Sequence, residues 1–124
     1  VHAMHDPTEG GVACGLQELA WASNVGVVAY EEKIPIRPET NVICKTLGID
    51  PLKTIGSGAL LISAHLEKAE KIVAVLRKKG IQASVIGRIM NKKEGAYIVR
   101  KDGKRLSLKR PVKEELWKVL KERL

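Results

Sequence analysis

Phenylalanine is absent from this 124-residue chain, and its only aromatics are Trp21, Trp117, Tyr30 and Tyr97. A core made with so few rings must consist mostly of Val, Ile, Leu and Ala. Cysteine is scarce too. Cys14 and Cys44 form neither a CxxC pair nor a disulfide framework, and both fall in predicted helices. They read as reduced, half-buried thiols of a cytosolic protein. No apolar run approaches the roughly 18–20 residues of a membrane span. No charged-then-apolar leader is present, so neither membrane nor export is expected and the predicted location is cytoplasmic. The chain also lacks a Walker-type lysine loop, a GxGxxG and a GxSxG.

What is present suits one domain of ordinary size. Apolar residues make up 44%, enough to build a core. Charge is unevenly spread. Residues 78–124 hold 15 Lys/Arg against 5 Asp/Glu, a net of +10, whereas residues 1–77 hold 7 against 9, a net of −2. A basic third can mark a nucleic-acid binder. Here no stacking aromatics are interleaved with the charges, as single-strand binders require. The basic segment therefore reads as a solvated surface, and nucleic acid is not an expected partner.

Hydrophobic spacing predicts the elements. Thr8 is the expected N-cap of a helix running to Ser23, with Val12, Leu16, Leu19 and Ala20 at helical intervals and Asn24 as its stop. Val25 to Ile34 reads as a strand closed by Pro35. Pro38 suits the first turn of a short helix, with Val42, Ile43 and Leu47 on one side and Gly48 at its end. Ile49 to Gly58 is a turn-rich link with room for a helical turn. Ala59 to His65 reads as a strand buried on both faces. Leu66, Ala69, Ile72, Val73 and Leu76 mark an amphipathic helix ending at Gly80, with Arg77, Lys78 and Lys79 in its last turn. Gln82 to Met90 is a further strand. Asp102-Gly103 between alternating segments predicts a hairpin over Gly95 to Leu108. Pro111 is the expected start of a last helix, with Val112, Leu116, Val119 and Leu120 on one face. The order α-β-α-β-α-β-β-β-α predicts an α/β (α+β) sandwich, helices packed on a small mixed sheet, with a hairpin and helix appended.

The chemistry-bearing stretch is HAMHDPTEGG, residues 2–11. Free N–H groups of a first helical turn attract anions, and glycines let a phosphate approach the backbone. Thr8 adds a hydroxyl, and Asp6 offers a carboxylate for Mg²⁺. The competing reading is an ordinary cap with glycines that ease packing. His2 and His5 are three residues apart, a spacing that shares a metal on a helix. They precede the helix, however, and have no evident third ligand. His65 reads as a turn or cap residue. Gly56-Ser57-Gly58 reads chiefly as a loop that allows close backbone packing.

Taken together, DPTEGGVACGLQELA, VGVVAYEEKIPI, CKTLGIDPLKTIGSGALLIS and ASVIGRI resemble the C-terminal domain of the AIR synthase (PurM-related) superfamily. Within it they are most similar to the hydrogenase expression/formation (HypE) branch, in an archaeal, thermophile-like version. Relatives in the superfamily include selenophosphate synthetase and thiamine-monophosphate kinase. The resemblance covers residues 3–90 in detail. It implies an AIR synthase-like C-terminal fold over residues 1–124 and a longer protein whose N-terminal domain carries acidic Mg-ATP ligands and most of a homodimer interface. It implies ATP and Mg²⁺ as cofactors, with Asp6, Thr8, Gly10 and Gly11 facing the phosphates and Asp6 toward the metal. The implied reaction is ATP-dependent phosphorylation of a carbonyl or amide oxygen, in the hydrogenase branch the dehydration of a carboxamide to a nitrile, with a maturation protein as partner. By this resemblance the isolated domain is inactive. Two departures stand out. Glu9 takes the place where the branch usually has arginine, and the chain ends KERL without the branch's cysteine, which suggests a paralogue acting on another substrate. Two further readings stay open. One is a non-catalytic interaction domain using the basic residues from Arg100 to Arg123. The other is a small-molecule kinase of the thiamine type.

Overall fold

A computed structural model describes residues 1–122. Its elements run β1 (Ala3–His5), α1 (Gly11–Ser23), β2 (Gly26–Tyr30), α2 (Pro38–Leu47), β3 (Leu61–Ser63), α3 (Leu66–Lys78), β4 (Gly87–Met90), β5 (Ala96–Val99), β6 (Arg105–Ser107) and α4 (Leu116–Glu122). Four strands form one mixed sheet in the order β4-β2-β5-β6. Within it β2 runs antiparallel to β4 and parallel to β5, and β5 and β6 form an antiparallel hairpin. A separate ribbon pairs β1 antiparallel with β3, His5 opposite Leu61. Helices on a small mixed sheet are the architecture the alternation predicts.

The core forms where α1 meets the central strands. Ala13, Leu16 and Ala20 of α1 pack with Val27 and Ala29 of β2, Ile98 of β5, and Ile34, Leu52, Leu61 and Leu108. No aromatic ring is among these buried residues, as the composition requires. Each large aliphatic buried here contributes about 1.5–3 kcal/mol relative to an exposed position. Strand β2 is enclosed on both faces, since Val28 is buried alongside Val27 and Ala29.

Several local expectations need correction. The N-cap of α1 is Gly10, not Thr8. Gly10 adopts φ 74° and, as a glycine, makes no side-chain cap bond of its own. Thr8 serves through its carbonyl, which accepts the N–H groups of Gly11 (3.1 Å) and Gly56 (3.0 Å). Strand β2 ends at Tyr30, and Glu31–Lys33 turn into a 3-10 helix. The run from Ala59 supplies only three strand residues, and β3 pairs with β1 alone, so it is not a doubly buried strand. In α2 the inward residue is Cys44, while Val42 and Ile43 face outward. Only Val73 of α3 is buried, and Leu66 is 83% exposed. Strand β4 starts at Gly87, five residues after the expected Gln82. Residues 111–114 have no regular secondary structure, and α4 begins at Leu116. Other expectations hold. Asn24 closes α1 in the left-handed conformation, Pro38 opens α2, Gly48 closes it, and a 3-10 turn occupies Pro51–Lys53. His65 stands at the cap position of α3.

Candidate functional site

The loop from Asp6 to Gly11 leaves β1 and enters α1 through two left-handed glycines, Gly10 at φ 74° and Gly11 at φ 62°. A side chain at Gly11 would put its Cβ 2.5 Å from the Thr54 carbonyl oxygen and 2.7 Å from that of Leu52. Gly11 is therefore locked against the 51–54 turn and sits inside the fold. Gly10 remains at the edge of a cleft of about 580 Å³ lined by Thr8, Glu9, Gly10, Cys14, Glu18, Ile55, Ser57, Val112 and Glu114. Of the four positions singled out from the sequence, Thr8 and Gly10 line this cleft. Gly11 supports it from behind, and Asp6 is exposed at the foot of the loop.

The Gly10 N–H already has an anionic partner. It donates to Glu114 Oε2 at 2.7 Å, and Glu114 Oε1 accepts the N–H of Leu116 at 2.8 Å. A carboxylate at the start of a helix satisfies an otherwise orphaned donor and meets the positive end of the helix dipole. The cleft's other ionisable walls are acidic or thiol. Burial raises the Cys14 thiol above its ordinary value, and the nearby Glu18 carboxylate adds to this. Cys14 is thus a protonated thiol at neutral pH and not a poised nucleophile. Cys44 is raised too, by burial first and then by Asp50 and Glu115.

The two N-terminal histidines do not form a metal pair. His5 lies in β1 and its Nε2 is 2.6 Å from Glu18 Oε2, while His2 is exposed just before the strand. Residues three apart on a strand point to opposite faces. Among the described residues, no three His, Cys, Asp or Glu side chains are grouped to hold a metal ion. Gly56-Ser57-Gly58 takes part more than its sequence suggests. Gly56 donates its N–H to Thr8, and Ser57 lines the cleft.

A second polar cluster braces the wall behind the loop. Arg100 Nη1 meets Asp50 Oδ2 at 2.7 Å and its Nε meets Glu31 Oε2 at 3.1 Å. The Asp50 N–H donates to Glu115 Oε2 at 2.7 Å, and Lys53 and Lys118 lie 3.7 and 3.0 Å from Glu115 Oε1. Burial opposes the charge on Arg100, but the hydrogen bond and charge of Asp50, with Glu31 and Asp102, outweigh it and raise its pKa. Burial likewise opposes the charge on Glu115, yet the Asp50 N–H, Lys118 and Lys53 win and hold it below the usual carboxylate range. Part of the basic third is thereby turned inward. Arg105 lies over the Tyr97 ring, 4.2 Å from its centroid, which occupies an aromatic face. Arg123 lies outside the described residues.

A mixed α/β domain with a glycine-opened helix start defines the class, and comparison with known proteins gives the family. Residues 1–100 match the model of the AIR synthase related protein, C-terminal domain. The chain belongs to that family. It is 38% identical over 108 residues to a protein named as a hydrogenase expression/formation protein of Methanocaldococcus jannaschii, covering 86% of this chain and 32% of the relative. It is 37% identical over 92 residues to carbamoyl dehydratase HypE of Rhizobium leguminosarum bv. viciae, covering 73% of this chain and 26% of the relative. A structure of hydrogenase maturation protein HypE in complex with ATP matches with TM-score 0.81 and 30% identity, over 95% of this chain and 37% of that one. A HypE–HypF complex matches with TM-score 0.76 and 32% identity, over 88% and 36%. The chain thus spans about a third of the length of the proteins it matches. Among the described residues, no helix is long and apolar enough to cross a membrane.

Proposed function

We propose that this chain is the C-terminal domain of an ATP-dependent enzyme of the hydrogenase-maturation type, and that the loop from Asp6 to Gly11 faces the phosphates of the nucleotide. The observation that carries this reading is the Gly10 N–H, presented at a helix start and bound to a carboxylate. An N–H that donates to one anionic oxygen at 2.7 Å can donate to another. The ATP complex of the similar HypE protein supports the cofactor.

The residues present suit a shared site rather than a complete one. Thr8 and Ser57 offer hydroxyls and Gly10 its N–H, but among the described residues no lysine or arginine lines the cleft. Compensation for triphosphate charge must come from Mg²⁺ and from the N-terminal domain that the resemblance implies. Mg²⁺ binds through one or two carboxylates, filling its shell with water and phosphate oxygens. Exposed Asp6 fits as one such ligand and would hold the ion at the loop, where it neutralises phosphate charge. The reaction that fits is phosphorylation of an amide oxygen. The oxygen attacks the γ-phosphorus, ADP leaves, and loss of phosphate with the amide protons yields a nitrile. Thr8 and Gly10 would orient and stabilise the phosphates during transfer. Glu9, where arginine is usual in this branch, points to a different acceptor.

Calorimetric titration of Mg-ATP into this chain, and into the protein with its N-terminal half present, tests the reading. The expected result is negligible binding to the chain alone and clear binding to the longer form. Thr8→Ala should weaken that binding about threefold to tenfold, the worth of one hydrogen bond. No binding to either form overturns the reading.

A further inference from the structure

The chain between β6 and α4 crosses the start of α1 and is held there from inside the fold. Gln17, 2% exposed, lies on the buried side of α1. Its Nε2 donates to the carbonyls of Leu108 at 2.6 Å and Arg110 at 2.5 Å, and its Oε1 accepts the Val112 N–H at 3.1 Å. These three bonds, the one to Leu108 buried and the other two part-buried, fix residues 108–112 against the helix. Val112 also packs on the core, and its carbonyl oxygen lies 3.6 Å from where a Cβ on Gly10 would stand. Beyond it, Glu114 reaches the Gly10 N–H, and the Glu115 N–H donates to the Lys53 carbonyl at 3.1 Å. The segment is thus anchored at both ends, with Glu114 at the mouth of the cleft.

We propose that residues 108–115 form an autoinhibitory strap whose Glu114 carboxylate occupies the anion position at Gly10, so that nucleotide phosphate and strap compete for the same N–H. The inference rests on the phosphate-facing reading of the loop. A carboxylate and a phosphate oxygen are interchangeable acceptors at a helix start, but both cannot sit there, because like charges a few ångströms apart repel. Glu9 and Glu18 in the same lining add to that repulsion. Phosphate entry therefore requires Glu114 to leave. Only the Glu114 side chain need move, since Gln17 holds residues 108–112 and the Glu115 N–H holds the far end at Lys53. The strap is a built-in anion that keeps the helix start satisfied until a stronger one arrives.

The test uses the full-length protein, with Mg-ATP and inorganic pyrophosphate as probes in calorimetry. Glu114→Gln removes the charge while leaving an oxygen for the Leu116 N–H, and Glu114→Ala removes both. Affinity for both probes should rise in the order wild type, Glu114→Gln, Glu114→Ala, reaching about tenfold for a charge-assisted bond released. The Gly10 amide resonance should shift both on adding ATP to wild type and on making Glu114→Ala. Measurable binding that is equal or weaker in both variants overturns the strap and leaves the phosphate reading standing. Absence of binding in all three proteins overturns the phosphate reading and the strap with it.

Discussion

Gly11 shows how much one missing side chain can decide. Its left-handed backbone and the carbonyls of Leu52 and Thr54 leave no place for a Cβ. Gly11→Ala should destabilise the domain by more than about 2 kcal/mol, from strain and overpacking together, read as a lower urea midpoint at unchanged slope. Gln17 is the polar counterpart. Gln17→Leu fits the apolar surroundings but strands the Val112 N–H and the Leu108 and Arg110 carbonyls. A loss of about 1–3 kcal/mol follows from those unpaired groups, measured the same way. The Thr-x-Gly-Gly turn before a helical pattern is a local signal that marks the helix start, although the cap falls on Gly10 and not on Thr8. Glu114 was not legible in the sequence, since it reaches Gly10 across 104 residues and only the fold brings them together. Gln17 did leave a trace, because a polar residue occupies a position one step from Leu16 and three from Ala20 on the packed side of α1.

At the scale of elements, spacing marked where helices and turns lie but not which side is covered. The Asp102-Gly103 hairpin, the Asn24 and Gly48 stops and the Pro38 start are set by neighbours in sequence, and all four are found as expected. The errors fall where tertiary pairing decides. Ala59 to His65 is apolar enough for a central strand, yet among the described residues its only strand partner is β1, a three-residue element with no sequence signal of its own. Likewise Val42, Ile43 and Leu66 carry an amphipathic pattern whose partner side is not where the pattern suggests. Conversely, charged residues do the joining between β5, the 51–53 turn and the segment before α4. Asp50 accepts from Leu52 N–H at 2.9 Å while binding Arg100, so it both caps the turn and ties it to β5. Asp50→Ala should cost about 1–3 kcal/mol, less than a fully buried pair because the groups are partly exposed. The accompanying sign would be faster amide exchange at Leu52 than at Ile98, since the turn loosens before the sheet.

For the whole molecule, a net charge of +8 makes pH a sensitive probe, because acid adds positive charge to a chain already repelling itself. Within the basic third, individual residues divide between solvent and inward-facing ion pairs. Arg100 is bound to Asp50 and Glu31, and Lys118 to Glu115. Protonating the carboxylate that holds Lys118 should therefore cost stability as acid is added. Glu115 has a folded-state pKa below its ordinary value, because the Asp50 N–H, Lys118 and Lys53 outweigh the burial that would raise it. In the window between that depressed value and the ordinary carboxylate value, about 4.3, the unfolded chain binds more protons than the folded one. Stability from this group is thus fully present above about pH 5 and is lost as pH falls through the folded pKa. Urea midpoints measured from neutral pH downward should fall most steeply below about pH 5. Glu115→Gln should lower the midpoint at neutral pH and flatten the acid limb, since the variant has nothing there to titrate. An acid limb as steep in Glu115→Gln as in the wild type would assign the acid sensitivity to other carboxylates and remove Glu115 as the tie between the segment before α4 and the 51–53 turn.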